Sequence, residues 1–197
     1  MIRRCATVAA GLVLAATVSG CAGAPLPSAA PPTSSAVVSS VVKIAAHQRD
    51  WRPTRVTISA IGVDAPISPM GLQPDGSVEV PPITRPDLVG WYAGSPEAGS
   101  PGPTVLLGHH SVRGIPGVFE HLGELTVGAE ISVTRADGTT IRYAVTRLAT
   151  YPKSRFPTDE VYGDRPGPEL RIITCARSGT DPTRFDANTV VDAVQRP

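Results

Sequence analysis

Proline and glycine punctuate this chain too closely for it to build long helices. The sequence carries 21 prolines and 19 glycines, and aromatic residues make up only 5%. Each proline removes a backbone donor and fixes φ, and glycine weakens the interior of any regular element. Between Arg52 and Pro197 the chain is left with short extended segments separated by turn signals. "RVTISAIGV" and "DAPIS" read as strands broken at Gly62 and Pro66, and Pro74-Asp75-Gly76 reads as a turn before an alternating strand, Ser77–Val80. "PTVLLGHH" is a continuous apolar strand that emerges at Gly108. Two alternating runs around Ala136-Asp137-Gly138 form a hairpin signal, and "ELRIITC" and "NTVVDAV" are further strands. "GVFEHLGEL" is the best candidate for a short helix. Seven or eight short strands predict a mainly all-β domain, a barrel or a sandwich.

The N-terminal part has a different character. Arg3 and Arg4 precede an apolar stretch, Ala6–Val18, too short to span a bilayer as a helix. The stretch closes on Val18-Ser19-Gly20-Cys21, which resembles a lipobox, where a signal peptidase cuts before a cysteine that carries diacylglycerol. Residues 1–20 are therefore expected to be a lipoprotein signal peptide. Residues 21–51, from a lipidated Cys21 through a run rich in Ala, Pro, Ser and Thr, are expected to be a flexible tether. Within it, residues 37–46 suit a transient helix. Residues 52–197 make up the folded domain. This organisation predicts a protein held by lipid on the outer face of the cell membrane. A net charge of +1 and a pI near 7.8 give no case for nucleic-acid binding.

Removal of the leader takes Cys5 with it, and lipidation consumes Cys21, so Cys175 has no intramolecular partner. An unpaired thiol outside the cell is exposed to oxidation unless it is buried or put to use. As a nucleophile it needs an imidazole and a stabiliser for the oxyanion that develops on the attacked carbonyl. Of the four histidines, His47 lies in the tether and His121 in the candidate helix, whereas His109 and His110 follow the "TVLLG" strand. Cys175 likewise ends a strand, and abutting strand ends would bring the two side chains together on one rim. Arg177 and Arg184 are the basic candidates for the oxyanion. No Cys-x-x-Cys, phosphate loop or His-Glu-x-x-His is present, and no metal site is expected.

Several blocks, in order, resemble the sortases, most closely the class F and class E enzymes of high-GC Gram-positive bacteria. They are "RVTISAIGVDAPI", "PDLVGWYAGSPEAGSPGPTVLLGH", "GVFEHLGELTVGAEISV" and "FPTDEVYGDRPGPELRIITC". The resemblance implies a closed eight-stranded β-barrel with one or two short helices or 3-10 turns. It also implies Cys175 as nucleophile, His109 as general acid/base and Thr174 as the threonine that precedes the cysteine. His110 replaces a commonly aliphatic residue and is the alternate imidazole, expected to point to the other side of the strand end. Arg184 is the positional match for the family's arginine, and Arg177 is its alternate.

The implied reaction cuts a Leu-Pro-x-Thr-Gly-like sorting signal near the C-terminus of an exported protein. The acyl group passes through a Cys175 thioester to an amine on a peptidoglycan precursor or another protein. No cofactor is implied, and a monomer is expected. Residues 112–118 and 156–162 are candidate walls for an apolar recognition groove. Two other readings fit the same residues: another cell-wall cysteine transpeptidase or peptidase, and a ligand-binding β-barrel lipoprotein with a degenerate site.

Overall fold

Alternation of apolar and polar residues decides which strand faces turn inward. The computed structural model describes residues 50–177 and 184–197. The expected leader, Cys21, the 37–46 helix and His47 lie outside the described residues, as does the stretch 178–183. The long strands are β1 (Pro53–Ile58), β2 (Val63–Met70), β3 (Val89–Tyr92), β4 (Gly102–Gly108), β7 (Glu130–Arg135), β8 (Thr140–Pro152), β9 (Pro168–Ala176) and β10 (Ala187–Gln195). They close an eight-stranded barrel, as the family resemblance implied, in the order β1-β2-β3-β4-β9-β10-β8-β7. A small separate hairpin joins β5 (Ser111–Val112) to β6 (Ile115–Pro116).

Inward positions such as Val56, Trp91, Leu106, Ile131, Tyr143, Ile172 and Val191 fill the barrel, and Phe119 and Leu122 pack into the same core. Leu122 opens the short 3-10 turn Leu122–Glu124, which is all the helix that "GVFEHLGEL" forms. The hairpin around Ala136-Asp137-Gly138 forms as expected, joining β7 to β8. Gly62 breaks β1 from β2 in a left-handed conformation, with φ 66°. The residues just before it, Ser59–Ile61, form a 3-10 turn and do not extend the first strand.

Pro66 does not break its strand. Facing Arg55, it is the last β2 residue to pair with β1, and Ile67 is the first to pair with β3. A missing N–H at the change of partner removes little from either ladder. Ser77–Val80 does not form a strand either and contributes one isolated bridge, Leu72 to Val78. Side chains compete there for backbone donors: Asp75 accepts from the Ser77 N–H at 2.9 Å, and Glu79 accepts from the Gly71 N–H at 2.8 Å.

The outer face of the β8–β10–β9 sheet carries a second layer. Arg147, Asp192 and Arg171 stand side by side in the register. Asp192 sits 2.6 Å from Arg147 Nε and 3.0 Å from Arg171 Nε. Arg147 also bonds Glu160 of α1 (Thr158–Tyr162), which ties this one-turn helix to the sheet. Side-chain exposures of 7% for Arg171 and 11% for Asp192 leave water little room to replace a lost partner. Replacing Asp192 with alanine would leave the buried Arg171 with only one of its two carboxylate partners, Glu169. Asp192→Ala is expected to destabilise the domain by about 2 kcal/mol, the loss of charge-assisted hydrogen bonds, read as a lowered denaturant midpoint at unchanged slope.

Candidate active site

Parallel pairing puts the ends of β4 and β9 at the same rim. Leu107 faces Ile173 in the last described pair, and the Thr174 hydroxyl then donates to the Gly108 carbonyl at 3.0 Å. Even-numbered Leu106 and Ile172 point into the barrel, whereas odd-numbered Val105, Leu107 and Ile173 pack outside against Val161 and Val190. Cys175 is the next odd position on β9, and His109 is the odd-numbered residue directly after the end of β4. Extended backbone therefore sends both side chains toward the same outer face.

The backbone around His109 is pinned. Its carbonyl accepts from the Phe119 N–H at 3.0 Å, and the His110 carbonyl accepts from the Gly117 N–H at 2.8 Å. Gly108 permits this close approach, because a Cβ there would lie 2.5 Å from Phe119 Cδ2. The His109 ring is also fixed. Nε2 is 2.7 Å from the Pro81 carbonyl, which can only accept, so Nε2 carries the proton and donates. Nδ1 is thereby left as the basic nitrogen of the neutral ring.

Cys175 is half-buried and unpaired, facing Asn188 across the β9–β10 ladder. Its sulfur has a cationic neighbour that the sequence did not single out: Lys153 Nζ donates to Cys175 Sγ at 3.7 Å. Lys153 follows directly after β8, in the 3-10 turn Lys153–Arg155. Its backbone N–H donates to the Asp186 carbonyl at 2.8 Å, which anchors it beside the start of β10. Nothing in the composition of "YPKSRF" marks this lysine; only the barrel register brings it across.

The alternates gather elsewhere. The His110 ring packs on Phe185 with centroids 5.2 Å apart, and the Arg177 guanidinium lies over the same ring at 4.6 Å. Phe185 is the odd-numbered residue before Ala187, on the side of β10 whose later odd residues, Val191 and Ala193, face the core. His110 thus leaves the strand end on the opposite side from His109. Arg184 is 73% exposed and lies 3.7 Å from the Asp186 carboxylate.

A cleft of about 500 Å3 opens on the outer face. Leu72, Val78, Tyr92, Thr158 and Tyr162 line it. Tyr92, Tyr162, Phe156 and Tyr151 follow one another edge to face or tilted, with centroids 6.2–6.3 Å apart. This aromatic arc ends at Tyr151, which faces Asn188 and so lies two strands from Cys175 in the same row. Residues 156–162 thus contribute to this cleft, whose opposite wall is the 72–78 turn, while residues 116–118 line a separate cleft with Pro86 and His121. The turn signal at Pro74-Asp75-Gly76 was visible in the sequence, but not that it would fold over the face beside α1.

A family profile described as Sortase domain matches residues 56–196. Among solved structures, the chain is similar to sortase C-1 from Actinomyces oris, at 25% identity over 77% of this chain and 78% of that one, with a TM-score of 0.58. It is also similar to a lid mutant of sortase A from Corynebacterium diphtheriae, at 19% identity over 74% of this chain and 70% of that one, TM-score 0.58. A Clostridium perfringens Sortase D5 transpeptidase is similar at 21% identity over 74% of this chain and 79% of that one, TM-score 0.54. No curated protein matches.

Burial pushes the His110 imidazole below its usual range, and the nearby Arg177 charge adds to the effect. The folded state therefore resists protonating His110, while the unfolded chain takes up the proton near its ordinary value of about 6.5. The stabilisation is present above that value and is lost as pH falls through it toward the lower folded-state value. Comparing urea melts of wild type and His110→Phe at neutral and mildly acidic pH, the wild type is expected to lose more stability on acidification than the variant.

Proposed function

The chain belongs to the sortase family of cysteine transpeptidases, and from that premise we propose that it cleaves sorting signals of exported proteins through a Cys175 thioester. The observation that carries this reading is the shared rim, where the paired ends of β4 and β9 send His109 and Cys175 to one outer face. Sortases act on exported substrates that carry sorting signals and use amine acceptors. For this chain we read the signal as Leu-Pro-x-Thr-Gly-like and the acceptor as a peptidoglycan precursor or another protein.

The Cys175 thiol gives its proton to His109, and the sulfur attacks the scissile carbonyl carbon, forming a C–S bond and placing negative charge on the oxygen. As the tetrahedral species collapses, the C–N bond breaks and protonated His109 gives its proton to the leaving amine. An incoming amine then attacks the thioester carbon, His109 takes up its proton, and the C–S bond breaks as the new amide forms. A thioester is suited to this exchange because it yields readily to amines. Arg184, or Arg177 in its place, holds the peptide backbone. The apolar cleft between Leu72, Tyr92 and Tyr162 suits the Leu-Pro part of the signal.

The sequence blocks support placement near classes F and E, and the lipobox-like Val18-Ser19-Gly20-Cys21 supports a lipid anchor with residues 21–51 as tether. The domain, residues 52–197, would then work as a monomer at the outer face of the membrane.

Incubating the purified domain with labelled Leu-Pro-x-Thr-Gly-type peptides and an amine is expected to yield a Cys175 acyl adduct by intact mass. The adduct is expected to vanish in Cys175→Ala. Loss of general acid/base assistance is expected to slow turnover by roughly 10²–10⁴-fold in His109→Ala, but not in His110→Ala. Absence of any adduct across the panel would favour a binding module. In cells, incorporation of a palmitate analogue is expected in wild type and not in Cys21→Ala; equal labelling of both would remove the lipid anchor.

A further inference from the structure

We propose that Lys153 is a further catalytic residue, whose ammonium group hydrogen-bonds the oxyanion formed when Cys175 attacks a carbonyl. The inference deepens the transpeptidase reading and rests on it. Its ground is placement. Lys153 Nζ, 3.7 Å from Cys175 Sγ, is a positively charged donor in contact with the reacting atom. Of the two arginines that follow Cys175 in sequence, Arg177 lies over the Phe185 ring, and Arg184, 73% exposed, lies 3.7 Å from the Asp186 carboxylate.

Backbone contacts hold the lysine there. β8 pairs with β10 as far as Pro152 and Ala187, and the Lys153 N–H donates to the Asp186 carbonyl at 2.8 Å. The 3-10 turn Lys153–Arg155 then carries the chain toward α1. The Cα of Lys153 is therefore fixed at the edge of the row in which Tyr151, Asn188 and Cys175 face one another. From that edge the four-carbon stem reaches the sulfur.

A carbonyl carbon bonded to the sulfur places its oxygen one further bond away. A donor already in contact with the sulfur can approach that oxygen at the roughly 2.7–3.1 Å that oxyanion stabilisation requires. No atom of Lys153 is transferred. The ammonium keeps its protons, the C–S bond forms, the carbonyl π pair moves to oxygen, and the charge is returned when the C–N bond breaks.

A small activated ester, p-nitrophenyl acetate, tests the role without any sorting motif, because its acylation of Cys175 passes through the same oxyanion. Wild type is expected to gain an acetyl group on Cys175 by mass with release of nitrophenolate. Lys153→Gln is expected to lower the acylation rate constant by roughly a hundredfold with little change in apparent KM and in melting temperature. Lys153→Arg, which keeps a charged donor, is expected to recover part of the rate. Arg155→Gln, which removes the other cation of the same turn, is expected to match wild type. Equal acylation rates in wild type and Lys153→Gln, or no recovery by arginine in a folded variant, would overturn the role of Lys153. Ester acylation that depends on Lys153, with no adduct from any sorting peptide, would leave the lysine in place and overturn the peptide substrate instead. No acylation of wild-type Cys175 by the ester would overturn both.

Discussion

Parallel pairing between β4 and β9 is the constraint on which the rest of the molecule depends. Parallel neighbours cannot be joined by a tight turn, so the chain between them must travel back to the starting end of the sheet. It does so through β7 and β8, and this excursion supplies two walls of the barrel before β9 enters. Because both strands run the same way, both end at the same rim, and the last residue of each arrives with matched parity. An antiparallel pair would have put the imidazole and the sulfur at opposite ends of the barrel. The Thr174 to Gly108 hydrogen bond carries the alignment past the last ladder pair, to the residues that follow.

Outside the barrel, a second layer converts this rim into the end of a cleft. Two kinds of interaction hold α1 on the sheet. The Arg147–Glu160 pair fixes its solvent side, while Val161 and Tyr162 settle on Val105, Leu107, Ile173 and Val190. Asp192 joins the two arginines into one network, in which Arg147 also pairs with Glu160 and Arg171 with Glu169. The same apolar positions that seat the helix lie one step along the strands from His109 and Cys175. Helix placement and the floor beside the chemistry thus draw on the same side chains.

What could be read from the sequence follows from how local each signal is. The β7–β8 hairpin, β4, β9 and β10 were legible because alternation or continuous apolar runs are properties of neighbouring residues. Their order around the barrel was not, and the resemblance implied only that eight strands close. Proline at position 66 misled because its cost depends on whether its missing N–H faces a partner, which is a property of register. Ser77–Val80 misled because Asp75 and Glu79 claim backbone donors that a strand would have used. At the site, Cys175 and His109 stood out as strand-end residues, and the opposite orientation of His110 followed from the period of extended chain. Lys153 was silent: 22 residues from Cys175 in sequence, it reaches the sulfur only through the β8–β10–β9 register.

That silence bears on how positive charge is supplied at the rim. The segment after Cys175 carries the arginines expected to help, yet its described parts turn them toward Phe185 and Asp186. The lysine comes instead from the far side of β10, anchored by the Asp186 carbonyl next to the strand start. An arginine would offer a planar fork suited to a carboxylate or a peptide carbonyl, whereas a lysine is a compact point charge on a flexible stem. A compact charge can follow the negative charge as it moves from sulfur to oxygen and back. A residue asked to hold peptide backbone gains from the fork, and one asked to accompany a migrating charge gains from the stem. In the proposed mechanism these tasks divide by strand, with Lys153 placed by the end of β8 and Arg177 by the end of β9.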